Sequence, residues 1–193
     1  MAAEPAILVH AQDELPAALL AQIRALDRQA WPDALGLPAR SPRHDPALRP
    51  VSMALVAGGR VLAALDILSK DIEHAGERYA ARGLSTVVTD QAVRGLGHGR
   101  RLVGAAREEI AASGADLGIF TCDRPLGPFY ESAGWTIVPG AVLVGGTPEA
   151  PFPSDQWDKV TLAAFFTAKA LRGAPSFADS RIELYPGHID KLW

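Results

Sequence analysis

Hydrophobic positions along the chain switch between two periods. Residues 7–10 form a short β-like run, and after Asp13 and Glu14 the apolar positions 15, 19, 23, 26 and 30 fall at helical spacing, predicting a helix over about 14–30. Prolines at 32, 38, 42, 46 and 50 then break every regular pattern. Two apolar runs, 52–57 and 60–69, flank Gly58-Gly59, which predicts a β-hairpin. The second run reaches Ile72, turns near Ala75-Gly76 and pairs with a strand ending at Thr89, giving three consecutive antiparallel strands.

Downstream, the pattern predicts a helix over about 98–112 that stops at Ser113-Gly114, and a buried strand over 117–121. Asp123 is placed to cap, with Pro125 in the first turn, a helix over 126–132 that ends at Ala133-Gly134. Short strands are expected at 135–138 and 141–144, a loop at 148–157, an apolar segment at 159–166 and a last strand at 180–185. The order β-α-β-β-β-α-β-α-β describes an α+β chain, a mixed sheet with helices on its faces. With no internal repeat and no interdomain linker, residues 1–193 read as one domain. Residues 31–50 form a proline-rich loop that either covers a site or is a rigid surface loop, and 148–193 form a C-terminal extension.

Composition narrows the class. With 193 residues, 48% of them apolar and 21% charged, the chain is long enough to bury a core. A net charge of −3 gives no global basic field for nucleic acid and suits a cationic small molecule. Cys122 is the only cysteine, which excludes an internal disulfide and any multi-cysteine metal site, and no metal is expected. No run of 18 apolar residues exists and the first residues lack the order of a signal peptide, so no membrane partner and a cytoplasmic location are expected.

The stretch 84–102 carries the chemistry. A β-branched run, 85–89, enters the turn Arg94-Gly95-Leu96-Gly97-His98-Gly99-Arg100 and leaves as a helix. Glycines let a ligand approach the backbone, unpaired N–H groups at a helix start face outward, and three arginines (94, 100, 101) add charge, so a phosphate or diphosphate is the natural guest. A dinucleotide fingerprint would need glycine where Arg100 stands, and the G-K-[S/T] of a P-loop is absent.

What remains, R-x-x-G-x-G at Arg94, Gly97 and Gly99, resembles the diphosphate loop of the GCN5-related N-acetyltransferases, the GNAT superfamily. The segment Pro128-Phe129-Tyr130-Glu131-Ser132-Ala133-Gly134-Trp135 is similar to the family's F-Y-x-x-x-G-[F/W] pattern and lies one strand beyond the loop helix, as in that family. On these two motifs the chain is identified as a member across about 50–145. The resemblance implies a central, mostly antiparallel sheet splayed at the strand before the loop, and acetyl-CoA as co-substrate. It also implies that main-chain N–H groups of Val87, Val88 and Thr89 hold the acetyl carbonyl and pantetheine arm, that residues 94–100 hold the diphosphate, and that Tyr130 protonates the departing thiolate. Cys122 is expected to be a small buried hydrophobe rather than a nucleophile.

The end of the chain, Tyr185 to Trp193, resembles the aminoglycoside 2′-N-acetyltransferase branch, whose chains close on a tryptophan carboxylate. That resemblance implies that Asp33, Asp190 and the Trp193 carboxylate receive a cationic amine, and that Thr121 helps hold the leaving sulfur. Two departures stand out: Asp190 lies three rather than two residues from the end, and Ser85 replaces the glutamate that relays a proton in that branch. Asp33, Asp123, Asp190 and the Trp193 carboxylate are open as indirect proton acceptors, and Ser85 and Thr86 complete the expected substrate-facing set. The expected function is acetyl transfer to a primary amine of a small, aminoglycoside-like cation by direct attack, with a homodimer as the oligomeric expectation. The alternatives are a protein or peptide amine as acceptor, or a CoA-binding regulator without turnover.

Overall fold

A seven-stranded sheet organises the computed structural model, which describes residues 4–32 and 43–193. Its strands are β1 (Ala6–Ala11), β2 (Val51–Ala57), β3 (Arg60–His74), β4 (Glu77–Thr89), β5 (Leu117–Asp123), β6 (Thr136–Ile137) and β9 (Lys159–Phe165), in the order β1-β2-β3-β4-β5-β9-β6. Every pairing is antiparallel except β4 with β5. Two-residue turns join β2 to β3 and β3 to β4. Gly58 and Gly59, then Ala75 and Gly76, all have positive φ, the conformation whose twist matches flanking strands.

Strand β3 is buried from Val61 to Ser69 because both faces of the sheet are covered. On one face, Leu19, Ile23 and Leu26 of α1 (Ala17–Ala30) pack against Ala54, Ala64 and Val88. On the other, Leu102, Val103, Ala106 and Ile110 of α2 (His98–Ala112) join the main core with Leu65, Ile67, Leu117 and Ile119. Each buried Leu, Ile or Val side chain among these contributes about 2 kcal/mol. The expected helices and strands are thus found, with helices on both faces.

Three differences come from tertiary context. Residues 12–14 form a separate 3-10 turn, so α1 begins at Ala17 behind Pro16. Asp123 precedes the turn that leads into α3 (Gly127–Glu131) but makes no cap; its carboxylate accepts from Lys159 Nζ at 2.8 Å instead. The segment 148–193 is not an appendage, since β9 lies inside the main sheet between β5 and β6. The same segment supplies β8 (Ala150–Pro153) where a loop was expected, α4 (Ala168–Gly173), and β10 (Arg181–Glu183). Strands β10 and β8 flank β7 (Val142–Thr147) in a second, three-stranded sheet. Among the described residues no helix is long and apolar enough to cross a membrane.

Candidate active site

Parallel pairing of β4 with β5 is confined to Ala81 with Leu117 and Arg82 with Gly118; beyond these the strands diverge. The closed end is clamped by Asp116, which accepts from the Ala80 N–H at 2.9 Å and Thr167 Oγ1 at 2.7 Å and pairs with Lys169 at 2.7 Å. Burial would raise its pKa, but these partners outweigh it and hold the carboxyl below its ordinary range. On the open arm of β4, Thr86 and Val87 face the single residue Leu65, because the register slips between Asp66–Ser85 and Ala64–Val88. Thr86 sits at φ 47°, a left-handed conformation that a β-branched residue adopts only when held there. The bulge re-aims the main chain of Val87, Val88 and Thr89 beside the cleft.

The turn after β4 is fixed at both ends. Asp90 accepts from Ala92 N–H at 3.0 Å and from Arg60, and Arg94 Nε donates to the Thr89 carbonyl at 3.3 Å. Gly97, at φ 82°, is the N-cap of α2 and leaves its first turn without a side-chain cap. Arg94, Gly95, Leu96, Gly97 and Arg100 are exposed around it and His98 is half-buried. Gly99 is buried, and a Cβ there would lie 2.7 Å from Thr89 Oγ1 and 3.4 Å from the Phe129 ring, so only glycine lets α2 start this close to β4. A groove of about 540 Å³ runs beside this helix start, lined by Gly97, Arg100, Arg101, Gly104, Ser132 and Ala133. Free N–H groups, arginines and an adjoining groove suit a diphosphate carrying a bulky adenosine end.

Across the cleft, Tyr130 is buried, its ring edge-on to Phe120 at 5.0 Å and to Phe129 at 4.9 Å. Burial, with Cys122 and Asp123 nearby, pushes its hydroxyl pKa well above the usual tyrosine value, so the hydroxyl keeps its proton near neutral pH. Burial likewise raises the Cys122 thiol to about 11. Thr121 is half-buried on β5, and its N–H donates to the main-chain oxygen of Trp193 at 3.2 Å. The Trp193 indole donates to the Ile119 carbonyl at 2.8 Å and lies so close to Gly83 that any side chain there would collide with it. Trp193 therefore fills the apex of the splay, on the edge of β5 that β4 vacates.

The remaining expected residues separate. Asp33 lies outside the described residues. Asp123 is exposed and paired with Lys159. Asp190 is buried and turned inward: its Oδ1 lies 2.5 Å from His44 Nδ1 and its Oδ2 accepts the Asp45 N–H at 2.9 Å. Ser85 pairs with Asp66 across β4 and β3.

Asp66 and His44 were not among the expected site residues. Asp66, fully buried, accepts from Ser52 Oγ at 2.5 Å, Thr86 Oγ1 at 2.6 Å and His44 Nε2 at 3.0 Å, and pairs with Arg43 at 2.6 Å. Arg43 also reaches Asp27 of α1 at 3.1 Å. Burial would push Asp66 up, but the hydrogen bond from His44 and the charge of Arg43 hold it below the ordinary carboxylate range. Burial would lower His44, but Asp190 and Asp66 raise it to about 9. For Asp27 burial outweighs Arg43, and its pKa rises. The sequence signal was present: Asp66 is a lone charge within the apolar run 61–68.

The Acetyltransferase (GNAT) domain family matches residues 13–138. Among solved structures, the GNAT family N-acetyltransferase YhbS from Escherichia coli in complex with CoA is similar with a TM-score of 0.59 at 17% identity, over 96% of this chain and 92% of that one. Escherichia coli ElaA gives 0.59 at 17% identity over 83% and 99%. The aminoglycoside 6′-N-acetyltransferase from Enterococcus faecium gives 0.53 at 16% identity over 83% and 97%. At such identities the likeness is one of fold. No curated protein matches the chain. The family match spans well over half of the sequence and takes in the bulged strand, the glycine turn and Tyr130, and the chain accordingly belongs to the GNAT acetyltransferase family.

Proposed function

We propose that the chain transfers an acetyl group from acetyl-CoA to a primary amine of a small cationic molecule, by direct attack within a ternary complex. The observation that carries this reading is the divergence of β4 from β5 after Arg82 and Gly118, with the uncapped start of α2 at the mouth of the cleft. Acetyl-CoA would supply the acetyl group already activated as a thioester. Gly95, Leu96, Gly97, His98, Gly99 and Arg100 would hold its diphosphate, with Arg94 bracing the turn through Thr89. Main-chain N–H groups at Val87, Val88 and Thr89 stabilise the carbonyl oxygen as it gains charge, and holding amine and thioester together supplies much of the rate. Tyr130 of α3 keeps a proton for the sulfur as the carbon–sulfur bond breaks, and Thr121 of β5 supplies a hydroxyl for the leaving group.

A cationic acceptor suits the electrostatics behind the bulge, where three carboxylates (Asp27, Asp66, Asp190) face two cations (Arg43, His44). Thr86 and Ser85 on β4, with Asp33 and Trp193, define the acceptor side in this reading, while Asp190 and Asp123 are taken up by His44 and Lys159.

The test is thiol release from acetyl-CoA in the presence of aminoglycosides, linear polyamines and peptides with free amines. Turnover with the small cations supports the proposal. Turnover with peptides alone would reassign the acceptor, and tight CoA binding without turnover on any primary amine would leave a CoA-binding regulator.

A further inference from the structure

His44 is 1% exposed, and both of its ring nitrogens face carboxylate oxygens: Nδ1 lies 2.5 Å from Asp190 and Nε2 3.0 Å from Asp66. A neutral imidazole has one N–H, so it satisfies one of these contacts and points a lone pair at the other carboxylate; only the imidazolium donates to both. The two arms are unequal. Asp66 has Ser52, Thr86 and Arg43 besides His44, whereas Asp190 has only the Asp45 N–H besides it among the described residues. Loss of the ring proton therefore leaves one carboxylate facing a lone pair, and Asp190, with fewer other partners, is the arm less able to hold its place.

That arm carries the end of the chain. Three residues after Asp190, Trp193 occupies the apex of the splay on Ile119 and Thr121. The other arm reaches the bulge, because the Asp66 oxygen that faces His44 also accepts from Thr86. One ring thus connects the two elements that shape the cleft from opposite sides.

We propose that His44 is a positioning residue for acetyl transfer, a charged latch that holds the segment from Asp190 to Trp193 in the cleft and fixes it relative to the β4 bulge. The role rests on the β4–β5 cleft being the transfer site. The charged groups that face the ring are Asp66 from β3 and Asp190 from the tail; behind Asp66 lies Arg43, which also pairs with Asp27 of α1, and the Asp45 N–H supports Asp190. The hydrogen bonds and charges of Asp190 and Asp66 outweigh burial and keep the ring charged to about pH 9. The hold on the tail is lost as pH rises to that value.

Amide hydrogen exchange at Thr121, whose N–H is held by Trp193, reads the latch without turnover. After correction for intrinsic exchange, protection of Thr121 in the wild-type protein should fall about tenfold per unit between about pH 6.5 and 9 and level off above. His44→Gln should give low protection throughout, with the transition abolished, while protection at Leu117 in the closed end is retained. Asp190→Asn, which leaves the ring in place, should give the same pattern and serves if His44→Gln fails to fold. In parallel, kcat/KM for the amine should fall over the pH range in which Thr121 loses protection, and the CoA Kd should stay constant. Unchanged Thr121 protection in both variants overturns the latch. A shift in protection with kcat/KM level across the same pH range overturns the role in transfer. Failure of the acetyl-transfer reading itself would show as absent turnover in the wild-type protein, on which the exchange measurement does not depend.

Discussion

The indole N–H of Trp193 donates to the Ile119 carbonyl at 2.8 Å, on the edge of β5 that faces β4. The main-chain oxygen of the same residue accepts the Thr121 N–H, so one residue meets two β5 groups that the departing strand leaves without a ladder partner. The end of the sequence is therefore a structural wedge as well as a wall of the cleft. The Gly83 position confirms the fit, since no side chain could be accommodated between strand and indole.

Replacing Trp193 by alanine removes a buried ring and a buried hydrogen bond together. The expected loss is about 3–5 kcal/mol, as for other large-to-small aromatic changes in a core. For a chain of this size that corresponds to a fall in Tm of roughly 6 °C or more. Thermal denaturation followed by circular dichroism measures it. A fall under about 2 °C would mean that the apex closes without the ring.

Gly97→Ala should weaken CoA binding. Its φ of 82° costs a residue with a Cβ about 1–2 kcal/mol, and relief of that strain tilts the first turn of α2 away from the ligand. Titration calorimetry should show a Kd raised by about 5- to 30-fold, with Tm lowered by a few degrees, because the φ strain applies although a Cβ there meets no atom within 4 Å. An unaltered Kd would detach the glycine turn from CoA.

Tyr130→Phe should lower kcat by about 10² or more, the usual contribution of a positioned proton donor, and leave the CoA Kd as it was. Because burial drives the hydroxyl pKa upward, the alkaline side of the wild-type profile should show no loss assignable to Tyr130 at or below pH 10. Equal turnover of the two proteins would remove Tyr130 from the chemistry.

Cys122 provides a negative control close to that hydroxyl. Its thiol is buried and raised to about 11, so the thiolate that reagents attack is scarce at pH 8. Native protein should react with a disulfide reagent orders of magnitude more slowly than protein unfolded in guanidinium. Cys122→Ala should retain turnover within about threefold, and a loss above tenfold would give the sulfur a role.

Local chemistry made most of this fold legible in the sequence. The hairpin glycines, the helical spacing of Leu19, Ile23 and Leu26, and the strand-turn-helix around Gly97 are determined within a few residues of one another, and each stands where the pattern put it. What stayed hidden depends on distant partners. Lys159 to Phe165 read only as apolar, since nothing local says that a late strand will insert between β5 and β6. Asp123 read as a cap because Lys159, 36 residues away, is invisible from position 123. Asp190 read as an outward ligand because its partner His44 lies 146 residues away in a stretch without periodicity. Asp66 alone carried a local sign, a carboxylate amid seven apolar neighbours, and such a residue must find cations and donors wherever the fold supplies them.

The last expectation concerns stability against pH and has a definite sign. His44 is raised from its ordinary 6.5 to about 9 in the folded chain. A group whose pKa is higher folded than unfolded stabilises fully below the unfolded value, and the stabilisation is lost as pH rises through the folded one. The imidazolium therefore contributes about 3 kcal/mol at pH 6, declining between pH 6.5 and 9 and absent above. Urea denaturation of wild type and His44→Gln at pH 6, 7.5 and 9.5 isolates this contribution, because every other titrating group is common to both. The stability difference should be largest at pH 6, intermediate at 7.5 and smallest at 9.5. A difference that is level across the three pH values would mean that His44 holds Asp190 and Asp66 by shape alone, with no dependence on its charge.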